Sequence, residues 1–326
     1  MTLPTLLLGT AQWGWTVPRT EVFGLLDAWL QAGRRGIDAA TNYPINRRPE
    51  DFRAAEKMLE DYIRAHGLHD LQVTMKVGSL DNLRSPESNL APSFVHMMAD
   101  EYRRCLGTNL HSIMFHWDNR ADEMAIRASL EVLGQLQQQY GLRPGLSGIA
   151  HPAAYARANA GLDLTYDIQL KHNVLHSDLA RYQPLLPPAG PSARLPAYSS
   201  ADFSSSPEIN QPTRVFAYGI NAGGVKLDGP YPTGSTLLAR GGLPEQATAQ
   251  VEQIRRRMPD FNLAFVRPPV KTMNHLGLIF AGLHPQVNGL VLGLSSVAQL
   301  HETLDFWRNL ETFDYVDVFD ALNKMK

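Results

Sequence analysis

Short apolar runs alternate with longer amphipathic stretches from one end of the chain to the other. The runs Leu6–Thr10, Arg35–Ala40, Leu71–Val77, His111–Trp117, Gly145–Ala150, Tyr166–His172, Arg214–Ile220 and Gly289–Leu294 are mostly continuous, as strands buried on both faces are. Between them the period changes to that of a helix. Arg19–Ala32 sets Val22, Leu25, Leu26, Trp29 and Leu30 on one face. Helices are expected from Pro49 to His66 before Gly67, from Pro92 to Leu106 before Gly107, and from Asp122 to Tyr140 before Gly141. A short one follows at Pro152–Ala160, and others at Pro244–Met258 and Thr272–Leu283. The pattern predicts an α/β fold, a closed (β/α)8 TIM barrel forming a single domain over 1–326. A C-terminal helical tail is expected at Val297–Leu310 and Val316–Lys324. A doubly wound sheet is the rival, but no GxGxxG motif opens the first helix and no P-loop is present. Gln183–Pro212 breaks the rhythm with Pro, Ser and Ala and no periodicity. It reads as an irregular loop replacing most of the sixth helix, either a lid or a surface excursion.

Composition narrows the function classes. A hydrophobic content of 44% in 326 residues is ample for one large core. A net charge of -2 gives no electrostatic reason to expect nucleic acid or an anionic membrane as partner. Cys105 is the one cysteine, so no intrachain disulfide can form, and it is expected as a small core residue. Leu6–Leu8 is too short for a signal or a span, so the expected location is the cytoplasm.

The strand ends carry the chemistry. In a barrel of this kind functional groups gather at the C-terminal ends of the strands. The stretch GIDAATNYP at Gly36–Pro44 places Asp38 in a buried run and Tyr43 on the turn that follows. Lys76 ends the next strand and His116 the one after. A buried carboxylate needs a partner, and Lys76 is the cation at hand.

These elements resemble the aldo-keto reductase superfamily along nearly the whole chain. LGTAQWG at Leu8–Gly14 is similar to that family's opening strand, and Asp38 and Tyr43 stand at its Asp-Thr-Ala-x-x-Tyr-Gly spacing. TMKV at Thr74–Val77, FHWD at Phe115–Asp118, GLSG at Gly145–Gly148 and QLKHN at Gln169–Asn173 resemble its lysine, histidine, serine and glutamine strands. FAYGINAGG at Phe216–Gly224 and LGLSSVAQLHET at Leu292–Thr303 are similar to its two cofactor loops.

The resemblance implies a carbonyl reductase with Asp38, Tyr43, Lys76 and His116 as its catalytic tetrad, and a small aldehyde, ketone or sugar-like carbonyl as substrate. It implies NADP as cofactor, with NAD possible, held by Ser147, Gln169, Tyr218, Gly219, Gly223, Gly224, Ser295, Gln299 and Glu302. Trp13, Trp15 and Trp117 are candidates to line the substrate pocket. QLKHNVLHSD at Gln169–Asp178 is closest in style to relatives that act on polar, hydroxylated substrates. Three departures stand out: Gly148 replaces the family's asparagine, Pro44 and an insertion at Ile45–Arg53 follow the tyrosine, and no basic residue precedes Ser295. Two other functions are weighed. A slow-turnover, NADP-holding regulatory subunit would keep the cofactor residues. A metal-dependent hydrolase would use His116, Asp118, His151 and His172, but no histidine precedes His66 to supply a first-strand pair, so no metal is expected.

Overall fold

A computed structural model describes residues 3–187, 211–231, 235–239, 241–242, 245–263 and 266–325. Its elements, in chain order, are β1 (Thr5–Gly9), α1 (Arg19–Gln31), β2 (Gly36–Ala40), α2 (Ala54–His66), β3 (Gln72–Val77), α3 (Pro92–Leu106) and β4 (Leu110–His116). There follow α4 (Glu123–Tyr140), β5 (Arg143–Ser147), α5 (Pro152–Ala158), β6 (Asp167–Asn173), β7 (His176–Ser177) and α6 (Leu179–Tyr182). The chain continues with β8 (Arg214–Tyr218), α7 (Thr236–Ala239), α8 (Glu245–Phe261), α9 (Met273–Gly282), β9 (Gly289–Leu292), α10 (Val297–Thr312) and α11 (Val316–Asn323). Much of the segment expected as an irregular loop, positions 188–210, lies outside the described residues.

Eight parallel strands close into a barrel. The hydrogen-bonded order runs β1, β2, β3, β4, β5, β6, β8, β9 and back to β1. β7 is an antiparallel addition to the end of β6. The continuous apolar runs explain the closure, because both faces of each strand are covered. Leu8, Ile37, Val73, Leu146, Ile168 and Leu290 are all fully buried. Helix ends follow local chemistry: Asp122 accepts the amides of Met124 and Ala125 at the start of α4, and Gly141 in left-handed conformation ends it. Thr272 and Ser296 cap α9 and α10 by accepting from His275 and Gln299.

The barrel floor is tied by charge. Asp167 at the start of β6 is buried between Arg143 Nε at 3.1 Å and Arg214 Nη2 at 2.5 Å. Burial works against its charge, but the two guanidinium groups outweigh that and hold its carboxyl below the usual range.

Some elements depart from expectation. The helix read from Pro49 is a single turn at Pro49–Asp51, and α2 begins only at Ala54. The reason is Arg53, which takes a left-handed backbone and forks its guanidinium onto buried Glu56 and onto Glu101. β5 runs Arg143–Ser147, because Gly148 turns left-handed and ends it. Cys105 is exposed on α3, not in the core, and lies beside Glu60. Among the described residues no helix is long and apolar enough to cross a membrane.

Candidate active site

Register puts the functional groups on one rim. Gly9 pairs with Asp38, Ala40 with Lys76, His116 with Ser147 and Ser147 with Gln169. Lys76 Nζ donates to Asp38 Oδ2 at 2.5 Å and to Gln169 Oε1 at 3.2 Å. Gln169 Nε2 closes the triangle by donating to Asp38 Oδ1 at 2.5 Å. All three side chains are buried. The Lys76 ammonium also sits 4.9 Å from the centroid of the Tyr43 ring and hydrogen-bonds with the Tyr43 hydroxyl. Burial opposes charge on Lys76, yet Asp38 and Tyr43 outweigh it and push its pKa up.

The rings of Tyr43 and His116 meet edge to face, with centroids 5.8 Å apart and planes at 86°. His116 is buried, and desolvation with the nearby Lys76 charge pulls its pKa well below the usual imidazole value, so the ring is neutral. Its Nδ1 is buried and has no hydrogen-bond partner among the described residues. Tyr43, Lys76 and His116 thus converge at the floor of one cleft.

That cleft has a cavity volume of about 290 Å3. Asp38, Tyr43, Lys76, His116, Trp117, Ser147, Gln169 and Tyr218 line its deep part, and Gly219, Gly223, Gly224, Ser295 and Gln299 its outer part. Glu302 lies in an adjoining compartment of about 400 Å3, which shares Asn221, Gly224, Lys226 and Gln299 with the first. The run Gly219–Gly224 forms its own cradle: Gly219, Gly223 and Gly224 all have left-handed backbones, and a Cβ on Gly224 would meet nothing within 4 Å. Asn173 Nδ2 donates to the carbonyl of Gly219 at 2.8 Å and so fixes this loop to the end of β6. From behind, α9 presses against it. A Cβ on Gly277 would lie 2.3 Å from the carbonyl oxygen of Ile220.

Two of the three candidate tryptophans are not in the cleft. Trp13 is fully buried in the hydrophobic core. Trp15 is half-buried and does not line the cavity. Trp117 does, in a left-handed conformation at φ 57, its ring 4.6 Å from that of His116. Its indole explains Gly148: a Cβ there would lie 2.4 Å from Trp117 Cδ1, so no asparagine fits. Gln169 lines the cleft as well, and its amide also engages Asp38 and Lys76.

Ile45, in the insertion after Tyr43, lines the cleft, and further lining residues not among the candidates include Gln12, Asn221, Lys226, Ser235 and, in the outer compartment, Lys271. Lys226 stands two positions after the Gly-Gly pair, which was a usable signal. For Lys271, before α9, the sequence offered none. Asp118 is committed elsewhere, to Arg120 at 3.0 Å and to the Tyr155 hydroxyl, and His172 to Ser177 Oγ at 2.7 Å. Among the described residues no group of three or more His, Cys, Asp or Glu side chains is arranged to hold a metal ion.

Residues 5–150 match the model of the aldo/keto reductase family. That span runs from β1 through β5 and contains Asp38, Tyr43, Lys76, His116 and Ser147. Among solved structures, the chain is similar to aldo-keto reductase AKR11C1 from Bacillus halodurans in its holo form. The TM-score is 0.67 at 15% identity, covering 100% of this chain and 93% of that one. The barrel is therefore the aldo-keto reductase (β/α)8 fold. No curated protein matches the chain.

Proposed function

We propose that the chain, as one barrel domain, is an NADP-dependent aldo-keto reductase that reduces a small carbonyl to an alcohol with Tyr43 as proton donor. One observation carries this reading: the ammonium of Lys76 is held between the Asp38 carboxylate and the Tyr43 hydroxyl at the bottom of the cleft. A nicotinamide cofactor, when bound, supplies the hydride. The protein must then provide a proton for the oxygen and a donor that polarises the C=O bond.

A free phenol has a pKa of about 10 and gives up its proton reluctantly at neutral pH. The Lys76 charge favours the phenolate that remains once Tyr43 has protonated the substrate oxygen. Asp38 keeps the lysine charged and Gln169 fixes the carboxylate, so the three act as one buried unit. Neutral His116 lines the same floor and serves as the hydrogen-bond donor that orients the carbonyl. The cofactor fits the longer shape of the site. The left-handed Gly219, Gly223 and Gly224 let a pyrophosphate approach the backbone closely, although the Ala222 and Gly224 amides are donated within the loop to Gly219 and Asn221, and the Tyr218 ring offers a flat wall in the same cleft as Ser147.

NADP is favoured over NAD by two lysines. Lys226 and Lys271 both line the outer compartment, together with Gln299 and Glu302. They supply the positive charge that is lacking before Ser295 and that a 2′-phosphate needs.

The test is Tyr43→Phe. Removing the hydroxyl should keep NADPH binding, read as quenching of tryptophan fluorescence, and lower aldehyde reduction by about a hundredfold to ten-thousandfold. Reduction at the wild-type rate would disprove the proton-donor role. Tight NADPH binding by the wild-type protein with no turnover on a panel of aldehydes would instead favour a regulatory subunit.

A further inference from the structure

A second buried carboxylate stands at the barrel rim and takes no part in the chemistry proposed above. Asp118, two residues after His116, is fully buried. Arg120 gives its backbone amide to Asp118 Oδ1 at 3.0 Å and its Nε to both carboxylate oxygens at 3.0 Å. The Tyr155 hydroxyl, on α5, donates to Oδ2. Arg120 is braced in turn, because its Nη1 donates to Ser129 Oγ at 3.1 Å and to the Ala125 carbonyl at 3.3 Å, both on α4. Ser129 Oγ donates onward to the Leu90 carbonyl at 2.6 Å, in the loop between β3 and α3. One carboxylate thus ties the end of β4 to α4 and α5.

Such a cluster is a weak source of stability, since well-packed apolar side chains hold a fold together as well as a buried ion pair does. What it fixes is position. Between His116 and Asp118 stands Trp117, whose backbone is left-handed at φ 57. A bulky side chain avoids that region, and residues held there gather at functional sites. The turn is pinned through the main chain as well: the Trp117 amide donates to the Ser147 carbonyl at 2.9 Å, and the Asp118 carbonyl accepts the Ala150 amide at 2.9 Å. The 147–150 segment is itself held by α6, where the Tyr182 hydroxyl accepts the Ile149 amide at 2.7 Å. The outcome is a fixed wall. The half-buried indole lines the cleft with its ring 4.6 Å from that of His116 and inclined to it by 37°.

We propose that Asp118, gripped by Arg120 and Tyr155, is a positioning residue that holds the Trp117 indole beside His116 and so sets which carbonyl compounds fit the cleft. Asp118 does not line the cavity, so it acts through Trp117 alone. For its kinetic consequence the proposal rests on the reductase reading of the Tyr43 site. An indole packs against flat rings, so benzaldehyde and propanal form the probe pair.

The experiment uses Tyr155→Phe, which removes one donor and almost no volume, with Trp117→Phe, the double variant and Asp118→Asn. Tyr155→Phe should lower kcat/KM for benzaldehyde about tenfold, mainly through KM, and that for propanal much less. In the Trp117→Phe background the same substitution should lose this effect. A purely structural role would lower the active fraction and scale both aldehydes equally. The emission of Trp117, taken as the difference between spectra with and without the indole, should shift in Tyr155→Phe, and Asp118→Asn should change the total spectrum in the same direction where it folds. Calorimetric binding of benzyl alcohol, weakened by Tyr155→Phe, answers the question without turnover. A shifted emission with weakened binding, in a protein that reduces neither aldehyde, would support the positioning role and count only against the reductase reading. A Trp117 emission unmoved by Tyr155→Phe, an equal loss on both aldehydes, unchanged benzyl alcohol binding, or a loss as large without the indole as with it would overturn the proposal.

Discussion

Replacing Lys76 by methionine tests the buried triangle directly. At 2.5 Å the attraction between Nζ and Asp38 Oδ2 is about 7 kcal/mol at an effective dielectric constant of about 20, before the desolvation of both groups is subtracted. Methionine fills much of the lysine volume, so little cavity forms and the damage is electrostatic. Asp38 is then left buried with only the Gln169 amide to compensate it. Breaking one side of such a pair costs about 3 to 5 kcal/mol. A chain of 326 residues unfolds with an entropy of about 0.7 kcal/mol/K, so a loss of about 4 kcal/mol lowers Tm by about 6 °C. Asp38→Asn combined with Lys76→Met removes both charges and keeps an amide for Gln169. It should therefore recover at least half of that loss while reduction stays abolished. Thermal unfolding of the two single variants and the double variant, with NADPH oxidation measured on each, forms the cycle. A double variant as unstable as the sum of the singles would show that the two charges do not stabilise one another, and the account of the tetrad would fail with them.

Other consequences are simpler to state. Gly148→Asn places a side chain where Trp117 Cδ1 would lie 2.4 Å from Cβ, on a left-handed backbone at φ 65. It should cost about 1 to 3 kcal/mol in denaturant unfolding and shift the Trp117 emission; unchanged stability and spectrum would contradict the packing described. pH dependence follows from three imidazoles. Burial and then nearby positive charge lower His111 and His275 to about 4 and His116 well below its usual value. The unfolded chain binds more protons than the folded one below about pH 6.5, so stability should fall as pH drops from 6.5 toward 4, by up to about 1.4 kcal/mol per pH unit for each fully shifted imidazole. Denaturant midpoints at pH 7, 6 and 5 check the sign, and a midpoint that rose on acidification would refute it.

The barrel was readable because its cause is local. Each buried strand is a continuous apolar run, and each helix has a one-sided stripe ended by a glycine or opened by a cap. The strand ends were readable for the same reason, since an acid, an amine and an imidazole interrupting such runs had to be paired or used. What escaped lies in side-chain reach between elements distant in sequence. Arg53 breaks the start of α2 because its partners Glu56 and Glu101 sit on two helices. Trp13 looked like a pocket residue from its place after β1, yet its ring turns inward to the core. Lys271 enters the site across α9, and no periodicity of its own segment points there.

Gln169 shows how a local motif and a global contact can assign one residue two duties. By its motif it is expected at the cofactor, and by its geometry it bridges Asp38 and Lys76 from the far side of the barrel. The second duty gives a buried carboxylate and a buried ammonium a shared hydrogen-bond partner where water has almost no access. Each carboxylate oxygen of Asp38 is met by a donor, Oδ2 by Lys76 and Oδ1 by Gln169. An amide is the group that can serve both ions at once, accepting from one and donating to the other. A glutamate in its place would put a second negative charge against Asp38, and a leucine would leave Oδ1 unmet. Either change should therefore act on Tyr43 through Lys76 without touching the phenol, which makes Gln169 a positioning residue for the proposed proton donor.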